Sequence, residues 1–316
     1  MKFFNLIYAL LSKVLMLIIL LLIALIFYFS SPITTTQTVV LPKGSITKVI
    51  KHLKEQGYAL TLLDTYLLAY ALDAPKSGTL LIGETEMSRI DFLKKLSSAK
   101  EAIDIVTLIP GETRPIFLEV LAKEHQLSVE KLELAYDKFA HYKEAGIMPE
   151  TYHLPKNISE TKLIQTLVLQ TEKKYKDLAI KHLKVYNKEE WLKTLTIASV
   201  IQKEAANNKE MPIVASVIYN RLKINMPLQM DGTLNYGKYS HVKVTPKRIR
   251  TDTSGFNTYA NKGLPPYPVC SVSIEAIKAA LNPDTTNYLY FMKNKSGVHD
   301  FSHSYKEHLN NIRKAR

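Results

Sequence analysis

One carboxylate stands out by its position. In the stretch Ile197 to Leu222, "IASVIQKEAANNKEMPIVASVIYNRL", apolar residues recur at helical spacing, break at Asn207 and Asn208, and resume. Leu195, Ala198, Ile201 and Ala205 mark a buried stripe, and Glu204, three residues beyond Ile201, falls at its edge. A carboxyl held there is partly dehydrated, and dehydration raises its pKa toward the range a general acid needs near neutral pH. The helix ends within a turn or so, so the side chain is expected at the lip of a cleft. A second reading is a surface glutamate paired with a neighbouring lysine, the common fate of charges near helix C-termini. Helix periodicity alone leaves both open.

Two other groups of residues could carry chemistry. The C-terminal "HDFSHSYKEH" sets His299, His303 and His308 near Glu307, but the spacing fits no tight ligand pattern, and His299 and His308 read as loop-ordering hydrogen bonders. The segment from Met226 to Ser271 is rich in Pro, Gly, Asn, Thr and Tyr. A loop of that length is functional or disordered, and its interleaved apolar and aromatic residues argue for order. Its "LPPYP" is a rigid extended turn, read as a groove wall.

The elements that must hold these residues can be traced from the N-terminal side. "TVVLPKGSITKVIKHLKEQGYAL" predicts a strand, a turn, and a helix after Ser45 with Ile46, Val49, Ile50 and Leu53 on one face and Gly57 as stop. A helical stretch, "TLLDTYLLAYALD", follows. The strand-turn-helix pattern then recurs in "SGTLLIGETEMSRIDFLKKLSSA" and in "AIDIVTLIPGETRPIFLEVLAKEHQLS", where Pro110-Gly111 makes the turn and Ile116, Leu118, Val120 and Leu121 mark the helix. The spacing is too irregular for a solenoid. The second and third copies are similar to the LysM-like elements that bind glycan, and a packing spacer is the alternative. From about His141 the character changes to a loop, "EAGIMPETYHLP". A long helix from Glu160 to about His182 follows, with Leu163, Ile164, Leu167 and Val168 inward. After the Glu204 pair of helices and the long loop come a helix at "SIEAIKAALNP", a strand "NYLYFMKN" and the His-rich tail.

At the N-terminus, "VLMLIILLLIALIFYF", Val14 to Phe29, carries no charge. It reads as a transmembrane helix over 14–29, or from near residue 6 if Lys13 snorkels to the headgroups, with Phe27, Tyr28 and Phe29 as an aromatic belt. A cleaved signal peptide would be shorter and end in small residues, whereas "FYFSSPITTTQ" follows here. Lys2 and Lys13 precede the span, so the short N-terminus (1–13) is expected in the cytoplasm and the remainder on the far side of the membrane. The 316 residues carry a formal net charge of +13, with 46% hydrophobic residues. For a basic exported domain the expected counter-charges are anionic lipid or an anionic wall polymer and not nucleic acid, although lysines scattered through amphipathic segments equally serve solvation. The single Cys270 excludes an internal disulfide framework. The organisation expected is α+β: the membrane helix, a linker over 30–38, a small LysM-like α+β module over 39–140 and a C-terminal α+β catalytic domain over 141–316.

Several ordered motifs, "PETY", "IASVIQKEA", "VASVIYNRL", "PLQMDGTLNYG", "FNTYANKGLPPYPVCSVSIEAIKAALNP" and "YLYFMKNKSGVHDFSHSYKEH", resemble the YceG-like (MltG) family of membrane-anchored lytic transglycosylases, which cut peptidoglycan strands internally. The resemblance runs from Val39 onward and is strongest from Glu144 to His308. It implies a catalytic glutamate at Glu204, the second carboxylate of an E-K-E run whose first is replaced here by Gln202. It implies substrate-binding roles for Glu150, Gln229, Asp231, Thr233, Asn257, Thr258 and Tyr259, and no cofactor or metal. Tyr259 and Tyr267 suit stacking on sugar rings. Asp231 either carries charge in the transition state or caps a turn. This sequence departs from the family in having Glu150 where Asp is usual, and Met230 and Gly232 where Thr and Pro are common. The partners implied are peptidoglycan glycan strands and glycan-polymerising synthases. The alternatives are a non-catalytic peptidoglycan-binding scaffold and a muramidase-type hydrolase with Asp231 as second carboxylate.

Overall fold

In a computed structural model, which describes residues 2–315, an unbroken helix α1 (Lys2–Ser30) opens the chain. Its segment Ile7–Ser30 is 24 residues long and apolar enough to cross a membrane. That is longer than the uncharged run alone, because Ser12 bonds its hydroxyl back to the Ala9 carbonyl and Lys13 does not interrupt the helix. The chain divides into two compact units, one running from α1 to Asp104 and including His153–Asn157, the other comprising Ile105–Tyr152 and the chain from Ile158 onward.

The first unit contains β1 (Pro32–Thr34), β2 (Thr38–Leu41), α2 (Ile46–Glu55), α3 (Leu62–Tyr70), β3 (Gly78–Leu81), β4 (Glu86–Ser88) and α4 (Arg89–Ser98). Two antiparallel ladders tie it together, β1 with β4 and β2 with β3, with Ile33 opposite Met87 and Val39 opposite Leu80. The helices start where the sequence supplies caps. Ser45 accepts from the Lys48 amide, and Thr61 and Asp64 form a reciprocal capping box on α3. Leu53, Leu68, Leu80, Phe92, Leu93 and Leu96 are fully enclosed in one core. Under the end of α1, Asp64 and Arg89 form a buried ion pair at 3.1 Å, and the Arg89 guanidinium lies 4.3 Å from the Tyr28 ring centroid. The stretch 30–38, expected as a linker, holds β1: Ile33 and Thr35 are buried, and the ladder with β4 and a 2.8 Å bond from the Thr35 amide to the Thr85 carbonyl dock it.

β5 (Ile103–Thr107) and β6 (Thr151–Pro155) lie where the chain passes between units. The second unit holds α5 (Arg114–His125), α6 (Val129–Phe139), α7 (Glu160–Leu183), α8 (Lys188–Glu204), α9 (Met211–Lys223), α10 (Pro246–Thr251), α11 (Ile274–Leu281), the antiparallel hairpin β7 (Tyr290–Lys293) and β8 (His299–Ser302), and α12 (Tyr305–Ala315). Compaction therefore changes at Asp104, whereas composition changes near His141: α5 and α6 bury Phe117, Leu118, Leu121 and Leu132 within the second unit. From Leu195 to Ile201 every residue of α8 is buried, so the expected one-sided stripe is a helix enclosed nearly all round, packed against both α9 and α11. The tail forms β8 and α12, with His299 opening the strand.

Candidate active site

The site begins with the end of a helix. Asn187 caps α8, its side-chain oxygen accepting from the Glu189 and Glu190 amides at 2.9 and 3.1 Å, and the helix runs until Glu204 is its last residue. Ala205 leaves the helix with extended backbone, and α9 begins seven residues after Glu204, at Met211. Glu204 is thus fixed on a rigid, buried element and yet points its head past the end of it.

A short 3-10 turn, Asp231–Leu234, lies across this end. The Gly232 amide donates to Glu204 Oε1 at 2.6 Å. The approach requires glycine: a Cβ at 232 would stand 2.5 Å from Lys203 Cβ and 2.8 Å from Glu204 Oε1. The proline common here in the resembled family has no amide hydrogen, so glycine adds a donor to the carboxyl. Burial pushes the Glu204 carboxyl up to about 7; the Gly232 amide opposes the rise, the Asp231 charge adds to it and the Arg221 charge opposes it. The surface reading of Glu204 is therefore not what the geometry gives: its side chain is half-buried and its carboxyl bonded to a backbone amide, while the adjacent Lys203 bonds the Ser240 hydroxyl at 3.0 Å.

The other residues named from the sequence fall into three groups. Asp231 and Tyr259 meet beside Glu204, with the Tyr259 hydroxyl donating to Asp231 Oδ1 at 2.7 Å. Burial first, then this hydrogen bond, raises the phenol above its ordinary range, so it stays a neutral donor. Thr233, Asn257 and Thr258 are buried and brace the loops. The Thr233 hydroxyl donates to the Met230 carbonyl at 2.7 Å and lies 3.0 Å from the Thr258 hydroxyl, which accepts from the Met230 amide at 3.1 Å. Asn257 gives both amide hydrogens to the Ile249 and Asp252 carbonyls at 2.8 and 2.7 Å, and accepts from the Tyr259 amide. Gln229 is exposed, in left-handed backbone at φ 47°, with its own amide bonded to the Thr258 carbonyl at 3.1 Å. Glu150 stands apart from this cluster and pairs with Lys174 on α7.

Gln202, in place of the first carboxylate of the run, accepts from the Ser273 amide at 3.1 Å at the start of α11. It packs two helices together and leaves the chemistry of the lip to Glu204. His299 bonds Glu210 through Nδ1 at 2.8 Å and through its backbone amide at 2.9 Å, which orders the start of α9 as expected. His308 instead lies against the Tyr290 ring, its buried Nδ1 without a hydrogen-bond partner among the described residues.

Three features were missed by the sequence reading. Arg221 is buried, donating from Nε to the Leu289 carbonyl at 2.6 Å and from a terminal nitrogen to the Leu228 carbonyl at 2.5 Å; the signal was a basic residue inside the apolar run "VASVIYNRL". A cavity of about 430 Å³ is lined by Arg114, Lys143, Glu144, Tyr236, Phe256 and Tyr267 among others. The Tyr236 and Phe256 rings are stacked, centroids 4.3 Å apart, and Tyr267 meets Phe256 edge-on. Into it faces Glu144, whose carboxyl burial pushes up to about 8 although the Arg114 amide bonds it at 2.8 Å.

The family described as YceG-like matches residues 39–314. A protein of Bacillus subtilis (strain 168) named endolytic murein transglycosylase is 36% identical over 208 residues, covering 65% of this chain and 55% of the relative. One of the same name from Streptococcus pneumoniae (strain D39) is 28% identical over 224 residues, covering 67% of this chain and 39% of the relative. The chain thus spans about half or less of the length of these relatives. A crystal structure of a putative yceG-like protein from Listeria monocytogenes superposes with a TM-score of 0.56 at 27% identity, over 89% of this chain and 99% of that one.

Proposed function

We propose that this chain, which belongs to the YceG-like family, cuts the β-1,4 bond between N-acetylmuramic acid and N-acetylglucosamine within peptidoglycan strands as an endolytic lytic transglycosylase. The observation that carries this reading is Glu204: a carboxyl at the open end of a buried helix, raised by burial to about 7 and held by one amide on one oxygen. With Oε1 accepting from Gly232, the proton of the neutral acid is left on Oε2. That proton passes to the glycosidic oxygen as the bond to C1 breaks, and the amide and Arg221 stabilise the carboxylate that forms. The carboxylate then takes the proton of the C6 hydroxyl of the same muramic ring. O6 closes on C1 to give a 1,6-anhydro end, and Glu204 is neutral again. No water enters the balance, so one carboxyl suffices.

Around it, Asp231 is positioned by Tyr259 to face positive charge developing at C1, and the exposed Gln229 meets sugar hydroxyl or N-acetyl groups. Thr233, Asn257 and Thr258 hold the loop that carries Gly232. The cavity walled by Tyr236, Phe256 and Tyr267 suits a neighbouring sugar of the strand. Of the two strand-turn-helix copies similar to LysM-like elements, the one ending in α4 lies in the first unit and the helix of the other, α5, in the second; we read them as glycan-binding, with a packing spacer as the alternative. α1 anchors the chain in the bacterial inner membrane with its N-terminus in the cytoplasm and both units outside. Strands newly made by peptidoglycan synthases are then the substrate within reach, and those synthases the natural partners.

Digestion of purified sacculi in oxygen-labelled water tests the chemistry. Anhydro ends without label are expected. Reducing ends carrying the label would make the protein a muramidase with Asp231 as second carboxylate, and binding without release would make it a scaffold.

A further inference from the structure

The outer face of α3 carries no charge. Leu62, Tyr66 and Tyr70 succeed one another at four-residue spacing and are 73%, 60% and 84% exposed, with Leu63 beside them. The one charged residue of this helix, Asp64, is turned inward to Arg89. The Tyr66 and Tyr70 rings lie 6.1 Å apart and nearly parallel. A solvent-facing stripe ordinarily carries charged and polar residues, and a contiguous apolar stripe marks a surface that meets something.

α1 indicates what it meets. The Tyr28 hydroxyl, near the end of α1, lies 2.6 Å from Thr61 Oγ1 and 2.7 Å from Asp64 Oδ2, the cap and first turn of α3. A hydrocarbon core of about 30 Å takes up about 20 residues of an apolar helix. The last turn of the 24-residue span therefore emerges at headgroup level, and α3 starts within one side-chain length of it. Between α2 and α3 opens a cavity of about 430 Å³ whose lining includes Ile50, Thr61, Leu62 and Thr65, with Lys51, Lys54 and Glu55 also on it; Glu55 lies 4.0 Å from Lys51 in an exposed pair that a phosphate can replace, and Lys54 adds a second cation. Apolar bodies with polar tips beside cations match the two layers of a membrane interface, acyl carbon beneath phosphate.

We propose that this face is a lipid site: Leu62, Leu63, Tyr66 and Tyr70 seat in the interface of the leaflet from which α1 emerges, and Lys51 and Lys54 hold the phosphate of an anionic phospholipid. The proposal rests on α1 spanning the membrane and is independent of the reaction at Glu204. It gives the first unit a second hold on the bilayer, which limits its swivelling about α1.

The test uses the full chain in nanodiscs of phosphatidylglycerol and phosphatidylcholine, with and without brominated acyl chains. Tyr70→Trp adds an exposed indole to Trp191, which is buried in the second-unit core, so the unsubstituted chain in both discs supplies the reference. The added emission is expected to be blue-shifted and to lose about half or more of its intensity to bromine. The loss should shrink in phosphatidylcholine alone and when Lys51→Gln and Lys54→Gln are combined. Water-like emission of equal intensity in both discs would overturn the lipid site. A loss indifferent to lipid charge and to both lysines would overturn the phosphate contact. Insertion of the chain into the discs is scored separately; a chain that does not insert removes the basis of the proposal, a result distinct from an inserted chain whose α3 stays in water.

Discussion

Replacing Gly232 with alanine tests the link between the 3-10 turn and the acid. The new Cβ would meet Lys203 Cβ at 2.5 Å, a contact with the stem of a helical residue that cannot swing aside, so the turn must withdraw and the 2.6 Å bond to Glu204 must break. An amide hydrogen bond to a charged acceptor is worth about 1.5–3 kcal/mol, and about 1.4 kcal/mol corresponds to one pKa unit. The bond favours the ionised form, so its loss moves the Glu204 pKa upward from about 7 by roughly one to two units. The acid is then protonated over a wider range, and the alkaline limb of the rate profile shifts to higher pH. The carboxylate that must act as base is less stabilised and displaced, so the maximal rate falls about tenfold or more. Initial rates of anhydro-muropeptide release from sacculi, measured from about pH 5 to 9 beside a thermal melt, give both quantities. A profile superimposable on wild type, or an alkaline limb moved to lower pH in a folded variant, would refute the reasoning.

Three further outcomes follow from the same geometry. Because folding raises the Glu204 pKa from 4.5 to about 7, the folded state holds a proton that the unfolded state has lost, and stability declines as pH rises through that window. Glu204→Gln should therefore melt higher than wild type above pH 7 and lose that advantage near pH 4, as read by thermal denaturation; an advantage that does not change with pH would contradict it. Arg221→Leu removes the donor that satisfies the Leu228 and Leu289 carbonyls and should cost about 3 kcal/mol or more in chemical denaturation, against under about 1 kcal/mol for an exposed site such as Lys223. Tyr259→Phe frees Asp231 from its 2.7 Å partner and should lower kcat several-fold with little change in melting; an unchanged kcat would mean that Asp231 needs no positioning.

What the sequence disclosed and what it hid divide along physical lines. Helices with caps and apolar faces were legible: Ser45 before α2, and Leu163, Ile164, Leu167 and Val168 in α7. Periodicity placed Glu204 at the edge of a buried stripe where the pattern breaks, but it left a surface ion pair open, and the resemblance to the YceG-like family is what singled it out. The β1 strand was hidden because one buried Ile33 amid Ser, Pro and Thr gives no alternation to read. The boundary at Asp104 was hidden because α5 and α6 resemble the preceding repeats locally, and only long-range packing assigns them to the second unit. Glu144 has nothing local to mark it, and Arg221 only its place inside an apolar run; burial decides the character of both, and burial is a property of the assembled core. Thr233, Asn257 and Thr258 share the residue types of sugar contacts, and which way they face depends on loop backbone that spacing does not specify.

The most direct measurement is the mass of the fragments released from purified sacculi by wild type and by Glu204→Gln, an isosteric change that keeps the Gly232 acceptor and removes the proton. Wild type should release muropeptides with anhydro ends, and the variant should lose that product by about a hundredfold or more. A folded Glu204→Gln protein that still releases anhydro-ended fragments at the wild-type rate would contradict the account.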